Sequence, residues 1–346
     1  MLYCGIDIAS KSSYWCVMTK FGRKIASGAM ETTRESFESR LGRYVKDGLA
    51  VVIEAGNQTA WIYDVLVAMG AKVTVANPTK VKLIAESRCK TDKIDARILC
   101  ELLRIDALPY PVHMPSQPAR ELRGLLVARR QLISTRTKLC NVARGMVRQE
   151  GILLPARALS TLIGWKNLLS QGFKGNHLAA IVSSYFDSFK ALTSSIREID
   201  RALVECERKD PRAARLQSMP KVGRIAALTF LGAVDDPKRF SSSRKLVGYS
   251  GLAPTVRSSG ERTVYGSISR EGRSELRGVW VQIAHLVAYD TSRATQPLRT
   301  WFNRTAKRRG KKTATVALAR RLLVIAYHLL RNETDYDAAR LKRRVA

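Results

Sequence analysis

The sequence predicts an α/β domain followed by mostly helical domains, and three observations carry that reading. Short apolar runs separated by tight turns fill the first hundred residues, which is the pattern of buried strands. From Pro118 onward the apolar residues fall at spacings of three and four, the period of helices. With 346 residues, 45% hydrophobic and 26% charged, the chain is long and apolar enough for two or three folded domains and excludes wholesale disorder.

The elements follow in order. Leu2–Ile8 reads as a short apolar strand with Asp7 inside it, Tyr14–Thr19 as a second, and Phe21-Gly22-Arg23-Lys24 as a turn into a third at Ile25–Met30. A charged helix at 34–45, a strand at Leu49–Glu54, a helix near 61–69 closed by Gly70 and a strand at 72–76 come next. The order βββαβαβα is that of the ribonuclease-H type of fold; an actin-like sugar-kinase fold begins the same way. From 118 to 150, Leu122, Leu125, Leu132, Leu139, Ala143 and Met146 keep an a/d-like spacing, with Arg129 and Arg136 in two of its places. Residues 178–203 repeat the pattern, so the pair predicts an antiparallel hairpin, a coiled-coil arm or a plain bundle core. The Gly- and Pro-containing stretch 151–176 between them reads as a connector. After Pro211, Leu216-Gln217-Ser218-Met219-Pro220-Lys221-Val222-Gly223-Arg224 resembles a helix-hairpin-helix start whose second helix offers its N-terminal amides to a phosphate. A loop-rich, basic stretch is expected over 235–272, and helices around 275–289 and 313–330. The expected domains are therefore 1–110, α/β; 111–210, helical, a coiled-coil or linker region; 211–334, mostly helical; and a basic tail, 335–346.

Charge bounds the partners. Sixty Lys and Arg stand against 29 Asp and Glu, a net +31, and the last 46 residues hold 13 bases and three acids. Such an excess points to a polyanion, nucleic acid before an anionic membrane surface. No apolar run reaches the ~20 residues of a membrane span, and no leader is read at the N-terminus. Six cysteines without CxxC spacing and four histidines without ligand spacing argue against zinc and disulfide scaffolds and for a reduced, cytoplasmic protein.

Against that basic background a few residues carry chemistry. Asp7 lies in the first apolar strand, Glu54 ends another, and Asp92 and Asp95 are three apart on one helix face. Carboxylates brought together raise one another's pKa unless a divalent cation neutralises them, and such a cation suits phosphoryl transfer; the plain alternative is strand ends and pairing with Lys90, Lys93 or Arg97. Ser258-Ser259-Gly260 lies in the basic loop with Arg257, Arg262 and Arg270 nearby, either a nucleophile beside phosphate-holding bases or an ordinary turn. Arg304, Lys307, Arg308, Arg309, Lys311 and Lys312 follow Trp301 and Phe302 and suit phosphate contacts, the alternative being a solvated face.

Taken together, Gly5-Ile6-Asp7-Ile8-Ala9-Ser10-Lys11, Glu54-Ala55-Gly56 and Lys90-Thr91-Asp92-Lys93-Ile94-Asp95-Ala96-Arg97 resemble the DEDD-type transposases of bacterial insertion sequences. That group includes pilin-gene inverting recombinases and RNA-guided bridge recombinases. The second half is similar too, through Met219-Pro220-Lys221-Val222-Gly223, Leu246-Val247-Gly248-Tyr249-Ser250-Gly251-Leu252-Ala253-Pro254, Ser259-Gly260 and Gly266-Ser267-Ile268-Ser269-Arg270-Glu271-Gly272. The resemblance implies a RuvC-like (RNase H-like) N-terminal domain whose Asp7, Glu54, Asp92 and Asp95 bind Mg2+. It implies a C-terminal transposase domain whose Ser259, with Ser258 its near neighbour, becomes covalently joined to DNA. It further implies pairing through the coiled-coil region into dimers and tetramers, composite sites with acids and serine from different subunits, and a structured guide RNA that base-pairs with donor and target duplexes. One departure is Gly56-Asn57-Gln58-Thr59, where that family has Thr-Gly and an aromatic residue. The competing expectations are a junction-resolving nuclease using the acids and water alone, a sugar-kinase-like phosphotransferase, and a nucleic-acid-binding protein without catalysis.

Overall fold

The computed structural model describes residues 1–84, 92–173, 176–259 and 262–339, in two compact units, Met1–Pro115 and Ser116–Ala346. The first is a mixed α/β layer structure. Strands β1 (Leu2–Asp7), β2 (Ser12–Thr19) and β3 (Lys24–Glu31) form an antiparallel meander, followed by α1 (Arg34–Val45), β4 (Leu49–Glu54), α2 (Thr59–Ala68), β5 (Lys72–Ala76), α3 (Pro78–Ile84) and α4 (Asp92–Arg104). The sheet order is β3-β2-β1-β4-β5, with β1, β4 and β5 parallel. β1 ends at Asp7, so that carboxylate closes the strand instead of lying within it, contrary to the sequence expectation.

Alternation along the strands divides the core into two layers. Cys4, Ile6, Val17, Val51 and Ile53 pack with Phe37 and Leu41 of α1 and Ile62 and Leu66 of α2. The intervening residues face α4: Val52 packs with Leu99 and Leu102, and Cys16 and Met18 with Ala96 and Cys100. With helices on both sides, β4 is buried along its length up to Glu54, as a parallel central strand must be.

The closest approach in this unit is at Gly5. A Cβ there would stand 2.2 Å from the Ala96 carbonyl and 2.4 Å from the Cys100 amide, so α4 lies with its backbone directly on β1 and only glycine leaves the room.

The second unit opens with α5 (Gln117–Gln149), capped by the Ser116 hydroxyl and started by Pro118 at its first turn. It continues through α6 (Leu162–Ser170) and α7 (Asn176–Lys209). α5 and α7 pair antiparallel: Arg129 Nε donates to Asp200 Oδ1 (2.6 Å), and Arg136 Nη1 to Thr193 Oγ1 (3.4 Å) while its guanidinium covers the Phe189 ring. The two arginines in apolar places are thus matched across the helix pair. The supposed connector holds α6, whose buried Trp165 donates to the Leu159 carbonyl (2.9 Å) and fills a core at the hairpin's tip with Ala143, Val147 and Phe189.

Then come α8 (Pro211–Gln217), α9 (Arg224–Val234), α10 (Ser243–Tyr249), a hairpin of β6 (Pro254–Ser259) and β7 (Arg262–Ile268), α11 (Ser274–Tyr289), α12 (Gln296–Arg309) and α13 (Lys311–Arg331). The stretch expected to be loop-rich over 235–272 contains a short helix and a two-stranded sheet among its loops. α13 is long and apolar enough to cross a membrane by length and composition, yet Leu318, Leu322, Leu323 and Tyr327 bury it at the centre of this unit's core.

Replacing Gly5 by Ala is expected to destabilise the N-terminal unit by about 1–3 kcal/mol or more, the cost of overpacking. Thermal or urea unfolding of the full chain checks this, and an unchanged transition would contradict the backbone contact.

Candidate active site and nucleic-acid interface

β1 and β4 run side by side with Ile6 opposite Ile53. Their next residues, Asp7 and Glu54, therefore end neighbouring parallel strands about 4.8 Å apart. Because Ile6 and Ile53 face α1 and α2, alternation turns both carboxylates toward the α4 side. α4 approaches from that side with Cys100 over Tyr3 and Gly5, its Sγ 3.2 Å from the Tyr3 carbonyl, and with Ala96 over Gly5. Going from Cys100 back through Ala96 moves along β1 toward Asp7, which brings the half-buried Asp95, and Asp92 three residues before it, to the end of the sheet where Asp7 and Glu54 lie.

The loop after Glu54 is fastened by groups that sequence reasoning passed over. Thr59 Oγ1 donates to the Glu54 carbonyl (2.9 Å) and accepts from the Gly56 amide (2.6 Å), while Gln58 Nε2 donates to the Ser10 carbonyl (3.2 Å). The departure noted at 56–59 is thus itself a clamp, joining the segments that follow β4 and β1. A threonine three residues after a glycine that follows a strand was the available signal.

An all-carboxylate donor set fits a hard cation such as Mg2+. Among the described residues no three of His, Cys, Asp and Glu already form a metal-holding group. Asp7, Glu54 and Asp95 are brought to one end of the sheet; the side chains of Asp92 and Lys93, and Lys90, lie outside the described residues.

The serines stand at the tip of the β6–β7 hairpin. Ser258 pairs with Thr263 and Ser259 with Arg262 across the ladder. Ser258 Oγ and Thr263 Oγ1 are 3.0 Å apart, so that hydroxyl has a partner of its own. The side chains of Ser259 and Arg262, and Gly260 with Glu261, lie outside the described residues. A hairpin of this size has little stability by itself, and its root is held tightly. Ser269 N donates to Ala253 O (2.8 Å), and Arg273 N to Tyr249 O (3.1 Å). Arg277 Nη1 donates to both Ser250 O and Arg270 O, 3.2 Å each. A Cβ on Gly251 would meet the Glu271 carbonyl at 2.1 Å, and one on Gly272 the Tyr249 carbonyl at 2.1 Å. The Gly-Tyr-Ser-Gly and Arg-Glu-Gly segments thus interlock beneath the hairpin.

The bases sort into two groups. At the helix-hairpin-helix turn they are engaged: Lys221 Nζ is 2.9 Å from Asp290 Oδ1, and Arg224 pairs with Glu207. Ser292, Lys221 and Thr295 hold the Asp290 carboxyl down at about 2. Those two basic side chains are occupied within the protein, and the N-terminal amides of α9, which the sequence offers to a phosphate, are a separate set of donors. By contrast Arg257, Arg270, Arg304, Lys307, Arg308, Arg309, Lys311 and Lys312 are exposed, and among the described residues none forms an ion pair. Trp301 and Phe302 are not exposed stacking platforms. Phe302 is buried in the core, and Trp301 lies beneath the Arg321 guanidinium (5.1 Å).

Two family models match the chain: one described as a transposase, of the DEDD type and IS110 group, over residues 4–151, and one described as the transposase IS116/IS110/IS902 family over residues 213–299. The chain belongs to the IS110/IS116 family of insertion-sequence transposases. It is 25% identical over 334 residues to the transposase of element IS1111A of Coxiella burnetii, covering 96% of this chain and 90% of that one. It is 27% identical over 360 residues to the pilin gene-inverting protein of Moraxella bovis, covering 97% of each. The transposase of element IS1328 of Yersinia enterocolitica is 26% identical over 259 residues, 75% of this chain and 77% of that one. As a transposase this protein acts on DNA, cleaving and rejoining it.

Because Arg277 ties two carbonyls under the hairpin, Arg277→Ala is expected to loosen its root by about 1–3 kcal/mol. Limited proteolysis within 254–268 should accelerate at least several-fold while α11–α13 stay protected.

Proposed function

We propose that this transposase cuts and rejoins DNA through a phosphoserine intermediate at Ser259, with Asp7, Glu54, Asp92 and Asp95 holding Mg2+ in a RuvC-like N-terminal domain. The observation that carries the reading is the placement of Asp7 and Glu54 at adjacent ends of parallel strands, facing the helix that begins with Asp92 and Asp95. The strand order β3-β2-β1-β4-β5, with β1, β4 and β5 parallel, suits the RNase H-like assignment.

The chain's own groups divide the work. The bound cation would act as a Lewis acid on the phosphate. The four carboxylates supply its oxygen ligands, and the Thr59 and Gln58 clamps keep the strand end bearing Glu54 from shifting. Ser259 is the attacking oxygen, carried at the tip of a short hairpin between Arg257 and Arg262, whose charges favour an approaching phosphodiester. Joining the phosphate to serine keeps the phosphodiester's energy, so the strand can be passed to a new partner without a separate energy source.

The exposed bases suit the substrate. Arg304, Lys307, Arg308 and Arg309 occupy the last turns of α12, where cations are favoured, but Lys311 and Lys312 start α13, where the helix dipole disfavours them. A phosphate backbone laid across Gly310 relieves that cost. A guide RNA and two DNA duplexes are the proposed polyanions. The helical region 111–210 is the proposed dimerisation arm, and 211–334 the transposase domain with its basic tail, 335–346, of which 340–346 lie outside the described residues.

Ser259→Ala is expected to abolish covalent protein–DNA adducts on denaturing gels while DNA binding persists; adducts that survive would remove the serine from this role. Asp7→Ala and Asp95→Ala are expected to lower strand cleavage by at least a hundred-fold with nucleic-acid affinity unchanged, and chelation should do the same reversibly. Cleavage without adducts and indifferent to Ser259 would favour water as the nucleophile. Neutralising Arg304, Lys307, Arg308 and Arg309 together is expected to flatten the salt dependence of DNA binding by about 0.9 per lost phosphate contact, read from affinities between 50 and 200 mM salt.

A further inference from the structure

α4 meets the sheet at a pair of thiols. Gly5 of β1 is the cross-strand partner of Cys16 on β2, and directly paired residues of an antiparallel ladder project to the same face. The space that a side chain at position 5 would occupy is taken by Cys100 of α4, whose Cα lies 3.0 Å from that would-be Cβ. Cys16 therefore projects beside Cys100, and the two pack together with Met18 and Ala96. Both residues flank one glycine and belong to one packed cluster, and a disulfide between them requires Cα atoms about 4.4–6.8 Å apart. Cys4, on the adjoining strand position, projects to the opposite layer and takes no part.

Cys16 has only 1% of its surface exposed, yet it lines a cavity of about 630 Å3 together with Lys24, Ser27, Arg97, Glu101 and Arg104. Arg104 is committed to Glu101, which leaves Lys24 and Arg97 as the exposed bases of the cavity. The neighbouring Cys100 thiol, with Lys24 and Arg97 behind it, holds the Cys16 thiol below its usual value against the pull of burial. Its partner Cys100 is pushed the other way, by Cys16 first and by burial second, and keeps its proton. A basic cavity large enough for a small oxidant, a thiol inclined to ionise and a second thiol in contact are the parts of a peroxide-reactive cysteine pair.

We infer that Cys16 is a site of oxidation by hydrogen peroxide, with Cys100 as the thiol that converts the product to a disulfide joining β2 to α4. The Cys16 thiolate attacks one peroxide oxygen, the O–O bond breaks, and the departing hydroxide takes a proton to become water. The resulting sulfenic acid is attacked by Cys100 sulfur; the S–O bond breaks, and the hydroxyl leaves as water with the Cys100 proton. Two thiols lose two electrons to one peroxide, and two waters form.

Contracting the sulfurs from van der Waals contact to about 2 Å pulls on α4, the helix that carries Asp92 and Asp95. A displacement near 1 Å at a reacting centre can cost about a hundred-fold in rate, so the disulfide is expected to suppress DNA cleavage ten- to a hundred-fold. That consequence rests on the proposed metal-binding role of the acids; the oxidation itself does not.

The test treats the full-length protein with a small excess of hydrogen peroxide, then maps disulfides by mass spectrometry without reduction and assays cleavage before and after dithiothreitol. A Cys16–Cys100 linked peptide, loss of cleavage and recovery on reduction are expected. Cys100→Ser, which keeps a hydrogen-bonding group beside Cys16 but no resolving sulfur, should instead accumulate a sulfenic acid at Cys16 that a dione probe captures, and Cys16→Ala should give neither product. Absence of the linked peptide in folded protein, or equal dione labelling of Cys140 and Cys206, would overturn the inference. A linked peptide in a protein whose cleavage is unchanged would sink the link to activity, whereas one in a protein that never cleaves, even reduced, would count against the proposed function and leave the oxidation site standing.

Discussion

The N-terminal unit depends on the contact between the backbone of α4 and Gly5. Most helices lie on a sheet through side chains, which leaves about 10 Å between the layers and some freedom to slide. Here a carbonyl and an amide of the helix meet the place where a Cβ would be, so any side chain at position 5 lifts the helix away. The contact determines how far α4 stands from β1, and with it the approach of Asp95 to the strand ends. It also determines which side chains become neighbours beneath the helix: Cys100 reaches the Tyr3 carbonyl, and Leu99 reaches Val52.

The second unit solves a similar problem by the same means. A two-stranded hairpin has no face to bury, so its order must come from its root. Gly251 and Gly272 let two backbone segments cross at a spacing no side chain tolerates, and the Arg277 guanidinium spans the crossing. Further up, a bulge displaces the ladder between Pro254 and Val256, and Gly266 leaves space for the Thr255 hydroxyl, which a Cβ would approach to 2.4 Å. Glycines placed for close approach, not for flexibility, thus aim both the acid-bearing helix and the serine-bearing strand.

Much of this was legible in the residues, and what was not has physical reasons. The five strands, the first helix and the two long helices announced themselves because their apolar period is undisturbed by other demands. Asp7 was placed within its strand because Ile8 continues the apolar run, whereas the backbone leaves the ladder one residue earlier. Arg129 and Arg136 looked like interruptions of an apolar seam; their partners, Asp200 and Thr193, lie more than fifty residues away and no local pattern reveals them. The β6–β7 hairpin was missed because neither strand alternates: both faces are open, so Thr, Arg, Ser and Val follow without a buried register to sort them. The helix α12 was hidden beneath its own charge, since its four bases Arg304, Lys307, Arg308 and Arg309, continued by Lys311 and Lys312, read as a solvated run until Leu298, Phe302 and Thr305 are seen to bury its other face. Of the candidate site, the strand-end position of Glu54 and the helical setting of Asp92 and Asp95 were readable. The Thr59 clamp left only its Gly-to-Thr spacing as a signal, because hydroxyl-to-carbonyl bonds leave no periodic trace.

The excess of charge gains meaning once the acids are followed to their partners. Glu101 is bound to Arg104, Asp200 to Arg129, Glu207 to Arg224, Asp210 to Arg212 and Asp290 to Lys221. In each case the base belongs to the framework: a helix end, a helix pair, a helix start or the turn between α8 and α9. Individually such part-exposed pairs contribute little to stability, but they leave those bases without an unmet demand for an anion. The bases at the end of α12 and the start of α13 show no such partner among the described residues, and two of them stand where the helix dipole opposes them. A chain that needed only solubility would gain by spreading its acids among these positions. Retaining the mismatch at one helix junction, while neutralising the framework with the few acids available, is the charge distribution of a surface completed by a phosphate backbone.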